Sequence, residues 1–368
     1  MPSNESWVPQ YKVKLNGAEL SQEDAAHLQM IAVDLRRQSP ASVELQFNNH
    51  AQDAATYDTR DELGPGAKVE VSIGYTGQQP TKVFQGEIVG TQVRVAENGP
   101  RIFVARAFDG LHKLTRGRKT KTFLQQKFSE IVSQIAQQNG LTVQADDTGF
   151  MREYVVQHNQ TDLDFVRGIA SWLDFDLCID HLKDSRTLRF KAPAVSGSPE
   201  VTAVYDNPNV SASEVPLRKF DGRQSLARVV SEVTVRGWDP AQKKEIVGRA
   251  AAGAVYGNMA GQTSAPQEVT DSWGETERQL VDYKVFSQQE ADKIAKTKLN
   301  EYARTFIRAE AEVQGNPKLR AGGIIGIKNV GKRFDGNYLI DQVTHIFTSK
   351  VQAGGGYTSR ISAERCGW

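Results

Sequence analysis

Apolar residues alternate with polar residues along the first 115 positions of the chain, at the period of two that is typical of β-strands. The turn-rich residues 63–66 interrupt this pattern, and it resumes as far as Phe108. Short strands at this spacing favour a small antiparallel sandwich or barrel. The apolar positions are Tyr11, Val13 and Leu15; Ile31, Val33 and Leu35; Val43, Leu45 and Phe47; Val69, Val71 and Ile73; residues 83–89; and Ile102 and Val104.

Two amphipathic helices are predicted between residues 116 and 205. Apolar residues recur at helical spacing from Phe128 to Ala136, and the run stops at Gly140. A second helical run follows Thr161, whose hydroxyl can cap its first turn, and continues to Leu173. Alternating residues return immediately afterwards, which predicts a β-hairpin behind the second helix.

The rest of the chain returns to strands, with one further helix. A strand pattern from residue 229 ends near Gly237 and Pro240. Residues 250–280 are rich in Gly, Ala, Ser, Thr and Gln and are predicted to form a long loop. Ser287 and Glu290 have the spacing of a capping box, which predicts a helix from there through Tyr302.

The first and last β-regions share a spaced pattern, which a duplicated supersecondary unit would leave behind. The alternative is that β-hairpins share residue preferences, so that the matching spacing is a coincidence. If the duplication is real, three copies of the chain would present six similar β-modules in a ring, so that a trimer could meet a hexamer. The residues with identical spacing are Phe84, Gly86, Gln92 and Val93 in the first copy and Phe334, Gly336, Gln342 and Val343 in the second. Upstream of them, Leu63, Gly66, Val69 and Val71 match Leu319, Gly322, Ile325 and Ile327.

Size and charge narrow the classes of function. A chain of 368 residues is expected to form two to four domains. The 45 Lys and Arg nearly balance the 44 Asp and Glu, which argues against a dedicated nucleic-acid or anionic-membrane binder. Two distant cysteines do not make a disulfide framework and favour a reducing compartment. The first residues do not have the basic-then-apolar pattern of a secretory signal, so a soluble protein is expected.

Several motifs suggest chemistry without supporting it. Residues 326–332 fit the start of a phosphate-binding loop, but Arg333 replaces the required Ser or Thr, and a hairpin turn is predicted instead. An acidic cluster suggests metal ligands or a carboxylate pair, yet its members are expected in a first helical turn or on the outward face of a strand. These residues are Asp162, Asp164, Asp174, Asp176 and Asp180.

Other polar and aromatic residues give no catalytic constellation. The six histidines are scattered and match no metal or nucleophile motif. The basic residues 116–121 are interpreted as a solvated connector, with a subunit interface as their better functional use. Trp172 and Trp238 are expected in small cores, while other tryptophans could anchor partners. No catalytic, cofactor-binding or metal-binding residue is predicted.

Segments in order along nearly the whole chain resemble the phage late-control D and tail hub family, and the N-terminal hub part of VgrG proteins of contractile injection systems. The segment at residues 154–166 resembles the entry to the middle-domain helix of that family. Residues 233–240 resemble another recurring segment. Residues 319–323, 338–345 and 357–359 look like its closing barrel.

This resemblance implies a β-rich α+β fold, with two tube-like antiparallel β-barrel domains and a middle α/β domain, and a pseudo-six-fold ring formed by a trimer. The implied division is a first barrel at 1–115, a middle domain at 116–205, a second barrel at 206–248 and 305–368, and a loop and helix insertion at 249–304 associated with the middle domain.

The implied function is that of a structural baseplate hub without enzymatic activity or cofactor. It is a homotrimer that adapts a six-fold inner tube to a three-fold spike and contacts other baseplate proteins, without nucleic acid or membrane. VgrG proteins continue into a needle, whereas this chain stops soon after the barrel pattern, so the spike is expected to be a separate protein. The expected location is the cytoplasm during assembly, then the phage tail or injection particle. Two alternatives stay open, a monomeric β-rich binding module and a tail-associated peptidoglycan hydrolase.

Overall fold

A computed structural model describes residues 8–48, 61–97, 99–193, 195, 197–207, 211, 213–239, 242–255, 259, 261–349 and 356–368. Trp7, His50 and Pro240 therefore lie outside the described residues. The helices are α1 Gln22–His27, α2 Phe128–Gln138, α3 Asp162–Leu173, α4 Ala265–Trp273 and α5 Gln288–Arg304. The strands are β1 Pro9–Leu15, β2 Ala18–Glu19, β3 Leu28–Arg36, β4 Ser42–Asn48, β5 Lys68–Tyr75, β6 Thr81–Arg94, β7 Ile102–Phe108, β8 Lys119–Lys127, β9 Thr142–Ala145, β10 Met151–Gln160, β11 Asp176–Ile179, β12 Thr187–Lys191, β13 Val201–Val204, β14 Glu214–Gln224, β15 Glu232–Asp239, β16 Lys244–Ala251, β17 Glu277–Leu280, β18 Ile307–Gln314, β19 Ile324–Lys328, β20 Gly336–Thr348 and β21 Gly356–Arg365.

A single sheet of thirteen strands runs through the first and last parts of the chain, in the order β19-β13-β14-β18-β21-β20-β3-β4-β7-β6-β5-β1-β2. An additional pairing of β19 with β20 closes six of these strands into a barrel. The barrel strands are β13, β14, β18, β19, β20 and β21. The β-rich fold expected from the period-two pattern is thus confirmed.

The N-terminal strands extend the barrel instead of standing apart from it. β3 pairs with β20 of the barrel on one side and with β4 on the other. Among the described residues, no pairing closes the N-terminal strands into a second barrel, so the two-barrel architecture stays a prediction. One hydrophobic core runs through both halves, with Ile31, Leu45 and Phe84 from the first half and Ile325 and Val343 from the second.

The predicted helices of the middle region are confirmed. α2 and α3 cover a separate core with Ile131, Val132 and Val166 at its centre. The Thr161 hydroxyl accepts a hydrogen bond from the Asp164 amide at 3.0 Å and so caps α3, as its position predicts. Two small sheets complete the region, β10 with β8 and β11-β12-β9.

The predicted long loop at 250–280 is wrong in its second half. This stretch contains α4 and β17, which pairs in parallel with β15. Ala265 and Val269, one helical turn apart, are fully buried and fix the inner face of α4, and Pro266 suits its first turn. The polar composition concealed this helix because only its inner face is apolar.

The three-stranded sheet β16-β15-β17 packs with α5 around a third core. The Ser287 hydroxyl accepts from the Glu290 amide at 3.2 Å, which confirms the predicted start of α5. β15 falls in the segment 206–248 that is predicted to belong to the second barrel, but it lies outside the closed barrel. β13 falls in the predicted middle domain, 116–205, but it belongs to the closed barrel. The proposed domain boundaries stay a prediction.

Candidate assembly interface

The strand β20 joins the closed barrel to the N-terminal part of the sheet. Its first residues pair with β19, where Gly336 stands opposite Ile327. Its later residues, Gln342–Thr348, pair with Arg36–Met30 of β3. A β-bulge between Ile340 and Gln342 separates the two stretches on the side that faces β21. One strand therefore belongs to two neighbouring β-units, and we call this pairing of β20 with β3 the inner junction.

The outer face of the sheet around the inner junction is polar. The Gln342 amide donates to Asp34 Oδ1 at 2.7 Å, across the junction itself. Farther along the sheet, Arg106 Nε lies 2.8 Å from Glu44 Oε2. The opposite face carries the buried residues of the shared core. Because its polar groups pair with one another across strands, this outer face is stable in contact with water.

A cluster of buried ion pairs ties the middle region to the sheet beneath the inner junction. Arg37, directly after β3, places its Nε 2.6 Å from Asp176 Oδ1. Arg189 of β12 places Nη2 2.9 Å from the second oxygen of Asp176. Arg304, at the end of α5, contacts Asp174 at 2.6 Å and Glu364 at 2.7 Å. Charges this deeply buried require such partners.

The electrostatics of the cluster follow from its burial. Burial by itself would lower the pKa of the Arg304 guanidinium, but Asp174 and Glu364 outweigh that effect and raise the pKa. Burial raises the pKa of the Asp174 carboxyl, and the neighbouring Arg304 and Arg37 offset only part of this rise. Asp174 has a positive φ of 54°, in the left-handed region that Asp tolerates better than most residues. Its position is therefore set both by the end of α3 and by its ion pairs.

A cavity of about 610 Å³ lies beside this cluster. Its walls combine Arg37, Asp174 and Arg304 with residues of α3, α5, β20 and β21. Exposed arginines at 228, 278 and 308 also line it, and so do the carboxylates of Glu301, Asp341 and Glu364. Because its lining carries charges of both signs, the cavity suits polar groups and not apolar ones.

The expectation that Asp176 faces outward is wrong. Its side chain is fully buried because Arg37 and Arg189 neutralise it inside the protein. Asp162 is also buried, against Lys119 at 2.6 Å, whereas Asp164 is exposed in the first turn of α3 as predicted. Among the described residues, no group of three His, Cys, Asp or Glu side chains is arranged to hold a metal ion.

The residues of the duplicated signature occupy related positions. Phe84 and Gly86 lie in β6; Gly336 opens β20 and Phe334 lies in the turn before it. The buried Val343 belongs to the inner junction, whereas Val93 is 39% exposed. Gln92 is exposed and Gln342 half-buried. The structure thus places the Gly, Gln and Val of each copy in the long strands β6 and β20, whereas only the first copy has its Phe within a strand.

The residues upstream of the signature show a closer likeness. Leu63 and Leu319 are both buried, each three residues before a glycine. Gly66 and Gly322 have φ values of 93° and 74°, which favour glycine. Their amides donate to the long strands, Gly66 to Ile88 O at 2.7 Å and Gly322 to Ile340 O at 2.8 Å. The duplication stays a prediction, and this shared local geometry supports it.

The remaining candidate residues have structural positions. Residues 326–332 run from β19 into the turn before β20, which confirms the predicted hairpin. Residues 116–120 are exposed, as expected of a connector. Trp172 packs edge-on against Phe128 and Phe150. Trp238, expected in a core, is instead 57% exposed, because it lies at the polar end of β15.

Sequence reasoning missed the buried cluster. Arg37, Arg304 and Glu364 come from distant parts of the chain, and no local motif marks them. A weak signal exists for Asp174 and Asp176, which flank the apolar Phe175 between α3 and β11. No helix among the described residues has the length and apolar character needed to span a membrane.

The fold is that of phage tail proteins and VgrG-type components. The 43 kDa tail protein of prophage MuSo2 from Shewanella oneidensis is similar at a TM-score of 0.69 and 14% identity, over 97% of this chain and 98% of that protein. A tail protein from Neisseria meningitidis MC58 is similar at a TM-score of 0.67 and 12% identity, over 98% of this chain and 97% of that protein. The c3393 protein of Escherichia coli, a component of the type VI secretion system, is similar at a TM-score of 0.59 and 13% identity, over 96% of this chain and 76% of that protein.

The sequence also matches a family profile over most of its length. Residues 5–349 match the Alg8 N-terminal domain, so this chain belongs to that family. No curated protein sequence matches the chain. None of these matches is to a late-control D protein, so the resemblance to that particular family stays a proposal.

Proposed function

We propose that this chain is a structural subunit of a phage tail or contractile injection system, namely the baseplate hub. As a homotrimer it would join a six-fold inner tube on one face to a separate three-fold spike on the other. Other baseplate proteins would surround it, and its particular relatives would be the late-control D hubs. It would assemble in the cytoplasm and then belong to the particle.

The observation that carries this proposal is the single sheet shared by two β-units. The inner junction joins a closed barrel and the N-terminal strands side by side in one continuous sheet. A ring of three such chains would present six β-units, the number needed to face a six-fold tube. The likeness to tail proteins over nearly the full chain supports the same conclusion.

The proposed work is mechanical and not chemical. Force that passes through the hub would be carried by strand pairing and by the buried ion pairs, which tie the middle region to the sheet. Three carboxylates of the acidic cluster are buried: Asp174 and Asp176 are bound to arginines and Asp162 to Lys119. They are not arranged as an acid and base pair. We therefore propose a non-enzymatic protein without a cofactor.

The test is the mass of the purified protein by light scattering, alone and with candidate tube and spike proteins. We expect three times the chain mass, either for the protein alone or once the spike protein is added. A monomer under every condition would reject the hub and favour a monomeric binding module. Release of soluble fragments from purified peptidoglycan would reject the non-enzymatic role.

A further inference from the structure

Besides the end of the sheet at β1 and β2, two stretches of strand have an open edge in the described part of the chain, one in β6 and one in β14 of the barrel. In β6, residues 81–87 pair with β5, but Val89–Arg94 have β7 as their only strand partner in the described part of the chain. In β14, residues 214–216 pair with β13, but Arg218–Gln224 have only β18 beside them there. We call Val89–Arg94 the β6 edge and Arg218–Gln224 the β14 edge.

Strand direction makes these two edges complementary. Eight strands lie between and including them, in the order β14-β18-β21-β20-β3-β4-β7-β6. Every neighbouring pair in this series is antiparallel. The first and the eighth strand therefore run in opposite directions. A β6 edge placed beside the β14 edge of another copy would continue the antiparallel pattern without a break.

The inner junction is an intrachain example of the same contact. The repeated spacing aligns β6 with β20, and each of these strands has a bulge against its next neighbour, at Ile88/Gly90 and at Ile340/Gln342. After its bulge, β20 pairs with seven residues of β3, Met30–Arg36. The β14 edge offers a stretch of the same length, Arg218–Gln224. β6 would thus use the β14 edge of a second copy as β20 uses β3.

The side chains at the β6 edge fit this assignment. Val89 and Val93 are 41% and 39% exposed on a strand that belongs to the thirteen-stranded sheet. An unprotected edge with exposed valines pairs readily with another strand. On the β14 edge, Phe220 is half-buried and offers an apolar surface for such contacts. Pairing with a strand from a second copy would cover the exposed valines of the β6 edge and the apolar surface of Phe220.

We propose that the β6 edge of one copy pairs antiparallel with the β14 edge of the next copy, and that this contact closes the ring. The inference rests on the proposed homotrimer and identifies its interface. The contact is heterologous, since two different surfaces meet, and such contacts generate rings when the rotation closes. The inner junction and this outer contact would then alternate around the ring.

Cysteine cross-linking tests the contact directly. Gln92→Cys is combined in one chain with Lys219→Cys, Asp221→Cys or Arg223→Cys, so that three registers are sampled between positions on the outer face of the sheet. Opposite residues of paired strands lie within the distance that a disulfide spans. The native Cys178 and Cys366 interfere little, because burial raises the pKa of each thiol to about 12 and disfavours the reactive thiolate. The control combines Gln92→Cys with Leu124→Cys, an exposed position on β8.

Mild oxidation of the assembled protein should give covalent species of two and three chains with at least one of the three pairs and not with the control. Thermal unfolding of the reduced variants confirms that each is folded. A trimer by light scattering that none of the pairs cross-links would overturn this interface and leave the hub proposal standing. A folded monomer in every condition would overturn both.

Discussion

Arg304 Nη2 lies 2.6 Å from Asp174 Oδ2, and this ion pair joins the end of α5 to the residue that terminates α3. The side chains of Arg304 and Asp174 are 2% and 9% exposed. A second contact, from Arg304 Nε to Glu364 at 2.7 Å, extends the connection to β21. Three parts of the chain that are distant in sequence are therefore held by one guanidinium group.

Replacing Arg304 by Met should destabilise the protein strongly. The variant keeps a long side chain but leaves Asp174 charged and buried without this partner, which costs about 3–5 kcal/mol of unfolding free energy. Urea unfolding followed by circular dichroism measures the loss. Arg186→Met is the control, because Arg186 is 76% exposed and only 4.0 Å from Asp184, and a change within about 0.5 kcal/mol is expected there.

The double variant Asp174→Asn and Arg304→Met should recover part of that stability. Asn removes the charge that Arg304 compensates and also tolerates the left-handed conformation of residue 174. If the double variant is as unstable as the sum of the two single variants, the pair does not act as a unit.

Stability should fall with acid through His345, which is buried in the barrel. Burial lowers the pKa of His345 to about 4, from 6.5 in the unfolded chain. Between these values the unfolded state binds the proton and the native state does not, so unfolding free energy rises with pH. His345 makes its full contribution to the unfolding free energy above about pH 6.5, and about 3 kcal/mol of that free energy is lost as the pH falls to about 4.

His345→Gln provides the comparison for this titration. The imidazole Nε2 lies 3.0 Å from Leu319 O and Nδ1 lies 2.8 Å from the Tyr357 hydroxyl, contacts that an amide can partly replace without titrating. Urea unfolding at pH 7 and pH 4.5 should show a smaller decrease for the variant than for the natural protein. Equal decreases would assign the acid sensitivity to other groups.

Gly86→Ala should be destabilising at the duplicated signature. A Cβ at this position would overlap the carbonyl group of Phe108 on the neighbouring strand. Such overpacking costs about 1–3 kcal/mol. Gly168→Ala is the matched control, since Gly168 lies in α3 with open space around its Cα and should gain about 0.5–1 kcal/mol. Thermal unfolding midpoints that move in the same direction for both variants would contradict this account.

Tyr75→Phe should weaken the link between the two halves of the sheet. The Tyr75 hydroxyl donates to Gly315 O and accepts from Gln314 Nε2, each at 2.7 Å. Losing both hydrogen bonds in a buried site should cost about 1–3 kcal/mol in urea unfolding. Tyr154→Phe, at a residue that is 60% exposed, should change stability by less than about 0.5 kcal/mol.

Much of the local structure could be predicted from the sequence, because strands and helices have their own periods. The alternation at Val69, Val71 and Ile73 corresponds to β5, and the hydroxyls of Thr161 and Ser287 mark the starts of α3 and α5. Helix α4 was not predicted from the sequence because its apolar face is short. Trp238 was misplaced because apolar character alone does not tell which end of a strand is covered.

The candidate site was less predictable. The spaced signature drew attention to β6 and β20, but nothing in the local sequence shows that β20 pairs with β3. Asp176 alternates with apolar neighbours, which suggested an outward position. Its burial depends on Arg37 and Arg189, and Arg37 is more than a hundred residues away in the chain. A carboxylate next to two guanidinium groups can be buried where an unpaired one cannot.

The sequence by itself determined the β-rich composition, the turns, the helix starts and the paired motifs around Gly86 and Gly336, because each depends on neighbouring residues and their backbone preferences. Only the tertiary structure decided that β19 meets β20 to close a barrel, that β20 continues into β3, and that Arg304 neutralises Asp174 and Glu364. These contacts join segments that are far apart in sequence. Their free energy depends on which strands and charges share a core once the chain is folded.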